Sequence, residues 1–472
     1  MARIRNIYQV QNLYIGPAPA TGYTFVSNLG IFNDDYSNFT EGITSNNYNL
    51  VFPINRVQTA SWSVNTNKTN ILELGKRGTV KQAFIEPITV DLTFDYISMG
   101  VVNEHHMGFY TNYTIPAGAN VGQALYTDNY SVCSIQGFVT RDLTPGENEI
   151  HYPQSYRDKR NLFVLVGAEG QDVNTSSYKF AHPKAQTSYT IGFGNAYITD
   201  YRARAAIGEF PTCSVTYLAE NFKVYSSGSG CLVPALESKG RSGILDKHFN
   251  LPSSYQNETT SALLPGDITI NITAYPEVTG ILVVYGTGYT GIAYPDLYDL
   301  GFKYSDIKIQ SYDIDLPLNR EPLSALGYKL PIDRQITFPV FTDLGFSFIV
   351  GDLQTGSVEN LTNKNLDYNI VIKLKNPTNA ASNSQKVAVQ YDFKGAKFES
   401  INYTNQIGGQ ETASLLYKTE IDPDNLTKGF FISGLLNVSG IQTLQGFILK
   451  EDGFALLQEN GDKLYSTNFA IF

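Results

Sequence analysis

The feature that most constrains this chain is that it resembles itself. Pro87-Ile-Thr-Val-Asp-Leu-Thr-Phe94 aligns with Pro339-Val-Phe-Thr-Asp-Leu-Gly-Phe346 at an offset of 252, with Pro, Asp, Leu and Phe identical. Leu74-Gly75 matches Leu326-Gly327 at the same offset, and Ser61-Trp62 matches Ser311-Tyr312 at 250. A second block, Ile207-Gly-Glu-Phe-Pro-Thr-Cys-Ser-Val-Thr-Tyr217, recurs at an offset of 200 as Ile407-Gly-Gly-Gln-Glu-Thr-Ala-Ser-Leu-Leu-Tyr417, with Ile, Gly, Thr, Ser and Tyr identical. Average composition gives about one match by chance in a window of that length. The blocks keep their order in both halves, so the chain reads as two copies of one domain, 1–250 and 251–472, with a Ser/Gly/Pro-rich linker at about 226–265. The difference between the offsets, 252 less 200, puts roughly fifty extra residues in the first copy, within 97–195.

Each copy predicts strands. Val90, Leu92 and Phe94 alternate with Asp91, Thr93 and Asp95, the period of a strand with one buried face, and Leu344 and Phe346 face inward where Asp343 faces outward. Val57 to Val64 and Ile307 to Leu316 read the same way. Asn67 to Gly75 and Asn319 to Gly327 each open on a capping Asn and close on Gly, which predicts a single helical turn or a shaped loop. The 32 Tyr, 27 Phe and single Trp, within a hydrophobic fraction of 42%, fit the same fold class: mostly β, two tandem sandwich or barrel domains.

Charge narrows the function. With 34 basic and 44 acidic residues the chain carries −10, which argues against a nucleic-acid clamp. Charged residues are only 17%; soluble β proteins use charge to blunt free strand edges, so few charges point to edges covered by partners. Met1 to Phe25 has no apolar leader core, and runs such as Leu162 to Val166 are too short to span a bilayer, so a cytosolic origin and no membrane are expected. Cys133, Cys213 and Cys231 have no metal-ligand spacing and read as buried small residues.

Chemistry is sparse. Gly286-Thr-Gly288-Tyr-Thr-Gly291 follows a strand-like run, but no helix-forming segment follows it, so it reads as a hairpin turn. Glu104-His105-His106 reads as a solvated turn, and His151, His182 and His248 lie in polar surroundings. No nucleophile elbow, zinc-protease motif or P-loop occurs, so neither an enzyme nor a cofactor is expected.

Arg56-Val-Gln-Thr-Ala-Ser-Trp-Ser, Glu86-Pro-Ile-Thr-Val-Asp-Leu-Thr-Phe-Asp-Tyr, Asn103-Glu-His-His-Met-Gly-Phe109 and Ile207-Gly-Glu-Phe-Pro-Thr-Cys-Ser-Val together resemble the major tail proteins of long-tailed bacteriophages, best over about 50–225 and more faintly over 300–420. That resemblance implies a β-sandwich whose sheets join edge to edge into a six-unit ring, with stacked rings forming a tube for genomic DNA. Two units per chain would make the ring a pseudo-hexameric trimer. Implied partners are further copies, terminator, tape-measure and distal tail proteins, and DNA sliding through without specific binding. The implied location is the virion tail, assembled in the host cytoplasm. Asp91, Asp95 and Asp343 become candidate lumen-facing residues, and the first-copy insertion and residues 1–25 candidate ring-to-ring contacts. A hub, collar or terminator of the same fold is the nearest alternative; a tandem β-sandwich carbohydrate-binding adhesin, served by exposed Tyr rings, is the alternative of another class.

Overall fold

A computed structural model describes residues 11–17, 24–25, 48–49, 52–66, 68–84, 88–109, 111–112, 135, 159–166, 189–225, 231–232, 248–249, 263–275, 308–324, 326, 331, 333–349, 362, 367–375, 387–404, 412–421, 428–434, 446–447 and 465–466. Alternation of β-branched and aromatic residues with polar ones builds almost every element, because a strand sends successive side chains to opposite faces. The strand Thr89–Ile97 alternates between buried and partly exposed along its whole length, burying Val90, Leu92, Phe94 and Tyr96.

The strands used below are β1 (Gln11–Pro17), β2 (Val57–Asn65), β3 (Lys68–Ile71), β4 (Lys81–Phe84), β5 (Thr89–Ile97), β6 (Thr111–Asn112), β7 (Arg160–Val166), β8 (Tyr189–Ala206), β9 (Thr212–Ala219) and β10 (Asn221–Tyr225). They continue as β11 (Ile268–Tyr275), β12 (Lys308–Pro317), β13 (Arg320–Leu323), β14 (Asp333–Ile336), β15 (Val340–Ile349), β16 (Asp367–Lys375), β17 (Val387–Thr404), β18 (Thr412–Ile421) and β19 (Gly429–Gly434). Helix is confined, among the described residues, to α1 (Val102–Met107) and one turn of 3-10 helix.

One large sheet holds most of these strands, and it contains the same antiparallel order twice. The first series runs β1-β7-β8-β9-β5-β2, with β10 on the other edge of β8; the second runs β11-β16-β17-β18-β15-β12, with β19 on the other edge of β17. Registers repeat as well. β8 pairs with β9 as β17 pairs with β18, at an offset of 200, and each ladder skips one residue at the same place, between Ile198 and Asp200 and between Phe398 and Ser400. β2 pairs with β5 as β12 pairs with β15 at 252, again with matching irregularities, Val57/Thr59 and Ile309/Ser311. That register sets Ala60 against Phe94 and Tyr312 against Phe346, so the offset of 250 suggested by Ser61-Trp62 is a slip of two residues, which leaves every side chain on its face.

Two expectations are corrected. Among the described residues of 67–75 and 319–327 there is no helical turn; they belong to β-hairpins, β3 with β4 and β13 with β14, paired in the same register at 252. Gly75, at φ 89, supplies the left-handed conformation the first hairpin needs. Residues 11–17 form a strand between β7 and Phe52–Pro53, with Leu13, Tyr14 and Ile15 buried. Glu104-His105-His106 is not a solvated turn but lies in α1, where Glu104 is wholly buried. Gly286 to Gly291, Cys133, His151 and His182 lie outside the described residues; Cys213 is buried and unpaired by disulfide.

Each long strand changes partners midway. The first half of β8 pairs with β7 and β10 and its second half with β9 and, on the opposite edge, β12, so the two series are joined edge to edge. Trp62 on β2 meets Phe193 in the first half of β8 edge-on, at 5.9 Å between centroids. Short parallel pairing of β6 with β19 adds a second tie between the series.

Candidate assembly surface

Eight strands, β2-β5-β9-β8-β12-β15-β18-β17, form one uninterrupted stretch of sheet with two unlike faces. One row of directly opposed residues across all eight reads Val57, Tyr96, Cys213, Ala203, Ile314, Leu344, Tyr417, Phe398 and packs into the core. Full burial of a side chain such as Leu344 contributes roughly 1.5–3 kcal/mol. The neighbouring row, pointing the other way, reads Thr59, Asp95, Ser214, Arg202, Asp315, Asp343, Lys418, Lys397.

The three aspartates singled out from sequence therefore share one polar face, with Asp95 and Asp343 in a single row. Each has a partner there. Asn65 Nδ2 donates to Asp91 Oδ2 and Thr59 Oγ1 to Asp95 Oδ2, both at 2.6 Å, and Lys418 Nζ lies 3.7 Å from Asp343. Sequence reasoning missed that Arg202 and Arg204 stand on the same face, although the alternation Tyr201-Arg-Ala-Arg-Ala205 carries the signal. Arg202 Nε sits 2.9 Å from Asp200 and 3.1 Å from Asp315. Burial pushes Asp200 up to about 6, against the pull of Arg202. The face is thus rich in hydroxyls, amides and internally paired charges, not uniformly acidic.

The joint between β8 and β12 is reinforced on both sides. Hairpin β13/β14 folds over the first series: Arg320 Nε donates to the Ile198 carbonyl at 2.7 Å, and Leu318 N to that of Thr199 at 2.8 Å. Arg334 pairs with buried Glu220 at 3.2 Å, and Lys159 with Asp333 at 3.5 Å. Burial lifts Glu220 to about 7, with Arg334 opposing the shift.

On the core side, Glu104 Oε1 accepts from Tyr96 at 2.6 Å and from Tyr201 at 3.2 Å, while the Tyr201 hydroxyl meets that of Tyr391, on the second series, at 3.2 Å. Burial raises Glu104 and holds all three tyrosine hydroxyls protonated. These groups lie in the interior with no exposed surface, so the cluster ties the two series together and offers no entry to a substrate. Among the described residues no group of three or more His, Cys, Asp or Glu is placed to hold a metal, and no helix is long and apolar enough to cross a membrane.

At the two ends of the eight-strand stretch the edges are open among the described strands. β2 pairs only with β5, and the Phe398–Thr404 half of β17 only with β18. Most of β2 is exposed, and so are hairpin β3/β4 and Tyr403. No protein-family model matches the chain, and a search of curated proteins returns no match.

Proposed function

We propose that the chain is a duplicated tail-tube subunit of a long-tailed bacteriophage, three copies of which close a pseudo-hexameric ring that stacks into a conduit for genomic DNA. The observation that carries this reading is the edge-to-edge joint of β8 with β12: two strand series of identical order and register, joined so that one copy of each joining edge stays open. A heterologous joint of this kind, repeated by further copies, closes into a ring where its rotation divides the full circle and otherwise gives an open helical filament. Constant offsets of 252 and 200, with irregularities at matching positions, support duplication of one unit. The partner change along β8 and β17, and contacts such as Trp62 with Phe193 across it, support a sandwich folded about each long strand.

In this reading the polar face lines the lumen, with Asp91, Asp95 and Asp343 on it. Three chains at −10 give a ring of −30. Arg202 is engaged by Asp200 and Asp315, and Arg204 donates to Thr212, so these cations are occupied by the sheet rather than offered to phosphates. A lining of this kind avoids the multiple phosphate contacts that would hold a sliding polyanion. Terminator, tape-measure and distal tail proteins would cap and fill the tube.

Electron microscopy of the purified protein tests the reading: rings or tubes with six similar lobes built from three chains are expected, and monomers at high concentration would overturn it.

A further inference from the structure

We propose that the joint between neighbouring chains repeats the joint inside the chain in register, with Ser400–Thr404 of β17 pairing antiparallel with Ser61–Asn65 of β2 in the next copy and hairpin β3/β4 lying across it. The inference rests on the duplicated-unit reading and adds to it a residue-level register, a set of clamp contacts and a reason why the two kinds of joint do not interchange.

The register follows from the internal ladder. There Asp200 faces Pro317, Tyr201 faces Leu316, Arg202 faces Asp315, Ala203 faces Ile314 and Arg204 faces Asp313. β17 stands 200 residues beyond β8, and β2 stands 252 before β12, in each case with the same ladder irregularity as a fixed point. Carrying the ladder over therefore sets Ser400 against Asn65, Ile401 against Val64, Asn402 against Ser63, Tyr403 against Trp62 and Thr404 against Ser61.

That register follows from the offsets alone, and it sorts the side chains by polarity. Ile401 with Val64 and Tyr403 with Trp62 fall on the core face; the Ser, Asn and Thr pairs fall on the polar face. Trp62, Val64 and Tyr403 are 36%, 42% and 51% exposed in the single chain, an unusual state for large apolar side chains beside a core, and the joint covers all three. A slip of one residue would set Trp62 against Asn402 or Thr404.

Hairpin β3/β4 extends the match. Its partner in the second series, β13/β14, clamps the internal joint through Leu318, Arg320, Asp333 and Arg334. The corresponding positions, 252 earlier, are Thr66, Lys68, Lys81 and Gln82, and the surfaces they would meet, by the offsets of 200 and 208 along β17, β18 and β16, are the Glu399 and Phe398 carbonyls, Asp367 and Glu420. Lys159 with Asp333 becomes Asp367 with Lys81: the ion pair keeps its place and exchanges its signs. Asp367 already contacts Lys428 at 3.1 Å and Lys397 at 3.9 Å, so it sits at an established ionic site. Placed on the wrong joint, Lys81 would face Lys159, a like-charge contact that discriminates between the two docking sites.

A disulfide trap decides the register, because two cysteines bridge only when their Cα atoms lie about 4.4–6.8 Å apart. The full chain carrying Ser63→Cys and Asn402→Cys, both exposed positions, is oxidised mildly and run on a non-reducing gel, while the same sample is sized by light scattering and imaged. We expect covalent dimers and closed trimers at least about tenfold above the level in either single variant or in the unsubstituted chain, whose own cysteines set the background, and loss of both on reduction. The pair Ser63→Cys with Tyr403→Cys, which the register places on opposite faces, should link no better than the single variants. Rings that form but do not link through 63 and 402 would overturn the register and leave the ring reading standing. Linked chains without rings or tubes would uphold the register and overturn the tube reading, and neither linkage nor assembly would overturn both.

Discussion

Replacing Glu220 by Gln should stabilise the chain at alkaline pH and leave it unchanged near pH 4.5. Glu220 is buried beneath hairpin β13/β14, with Arg334 Nε on Oε1 and no hydrogen-bond partner on Oε2. Its folded value of about 7 lies above the 4.5 of an unperturbed Glu, because burial outweighs Arg334. A carboxyl raised in this way holds its proton in the folded chain while the unfolded chain has lost it. Stability therefore falls as pH rises from about 4.5 to about 7 and is level above that. The window spans about 2.5 units at 1.36 kcal/mol each, or roughly 3 kcal/mol. Glutamine resembles the protonated acid, so Glu220→Gln should match the wild type at pH 4.5 and exceed it by up to roughly 3 kcal/mol at pH 8. Urea-unfolding curves of both proteins at pH 4.5, 6 and 8 measure the difference. Taking the difference removes the opposite trend from His105 and His106, lowered mainly by burial to about 4 and about 3, which weaken the fold as pH drops below 6.5. A variant less stable than the wild type at pH 8 would refute the argument, since the ion pair would then more than repay its burial.

Three further outcomes are expected. Tyr403→Glu should leave the circular dichroism of the single chain unchanged but prevent higher species in light scattering, because it removes roughly 100 Å² of apolar contact, about 2.5 kcal/mol, and puts a charge into the joint. Gly434→Ala should lower the melting temperature, by about 1–3 kcal/mol of stability, since a methyl group there runs into the Ala388 backbone and the Val101 side chain. Cys213, whose thiol burial pushes up to about 12, should stay unmodified by iodoacetamide at pH 8 in the folded chain and react once urea is added, as read by peptide mass spectrometry.

Features with a strong period were legible from sequence. The alternation around Asp91, Asp95 and Asp343 gave both the strands and the shared outward direction of these side chains, because a strand leaves no other option. Arg202 and Arg204 were equally legible in pattern, but only once β8 is traced through to Ala206, past the bulge at Thr199 that resets its phase. The two hairpins were hidden: their strands, such as Lys68-Thr-Asn-Ile71 and Lys81-Gln-Ala-Phe84 of the first, are four residues long, too short to show a period, while the flanking Asn and Gly imitate helix caps. Glu104 was misread because its burial is decided by Tyr96, Tyr201 and Tyr391, which local polarity does not reveal. Identity alone could not separate an offset of 250 from 252, since a two-residue slip along a strand preserves every face.

The joint inside the chain and the edges left open differ in chemistry, and the covalent link explains what each can tolerate. β8 and β12 belong to one polypeptide, so they meet at an effective local concentration that does not fall on dilution, and their contact can carry the Asp200, Arg202 and Asp315 charges. In the proposed joint the paired strands Ser400–Thr404 and Ser61–Asn65 bring only Ser, Asn and Thr to the polar face and aromatic and aliphatic side chains to the other, so the strand ladder itself is insensitive to ionic strength and the salt-dependent contact falls to hairpin β3/β4. In a ring of six units, fusion in pairs also cuts the bimolecular encounters needed before closure from five to two, and makes a ring with an odd number of units unreachable.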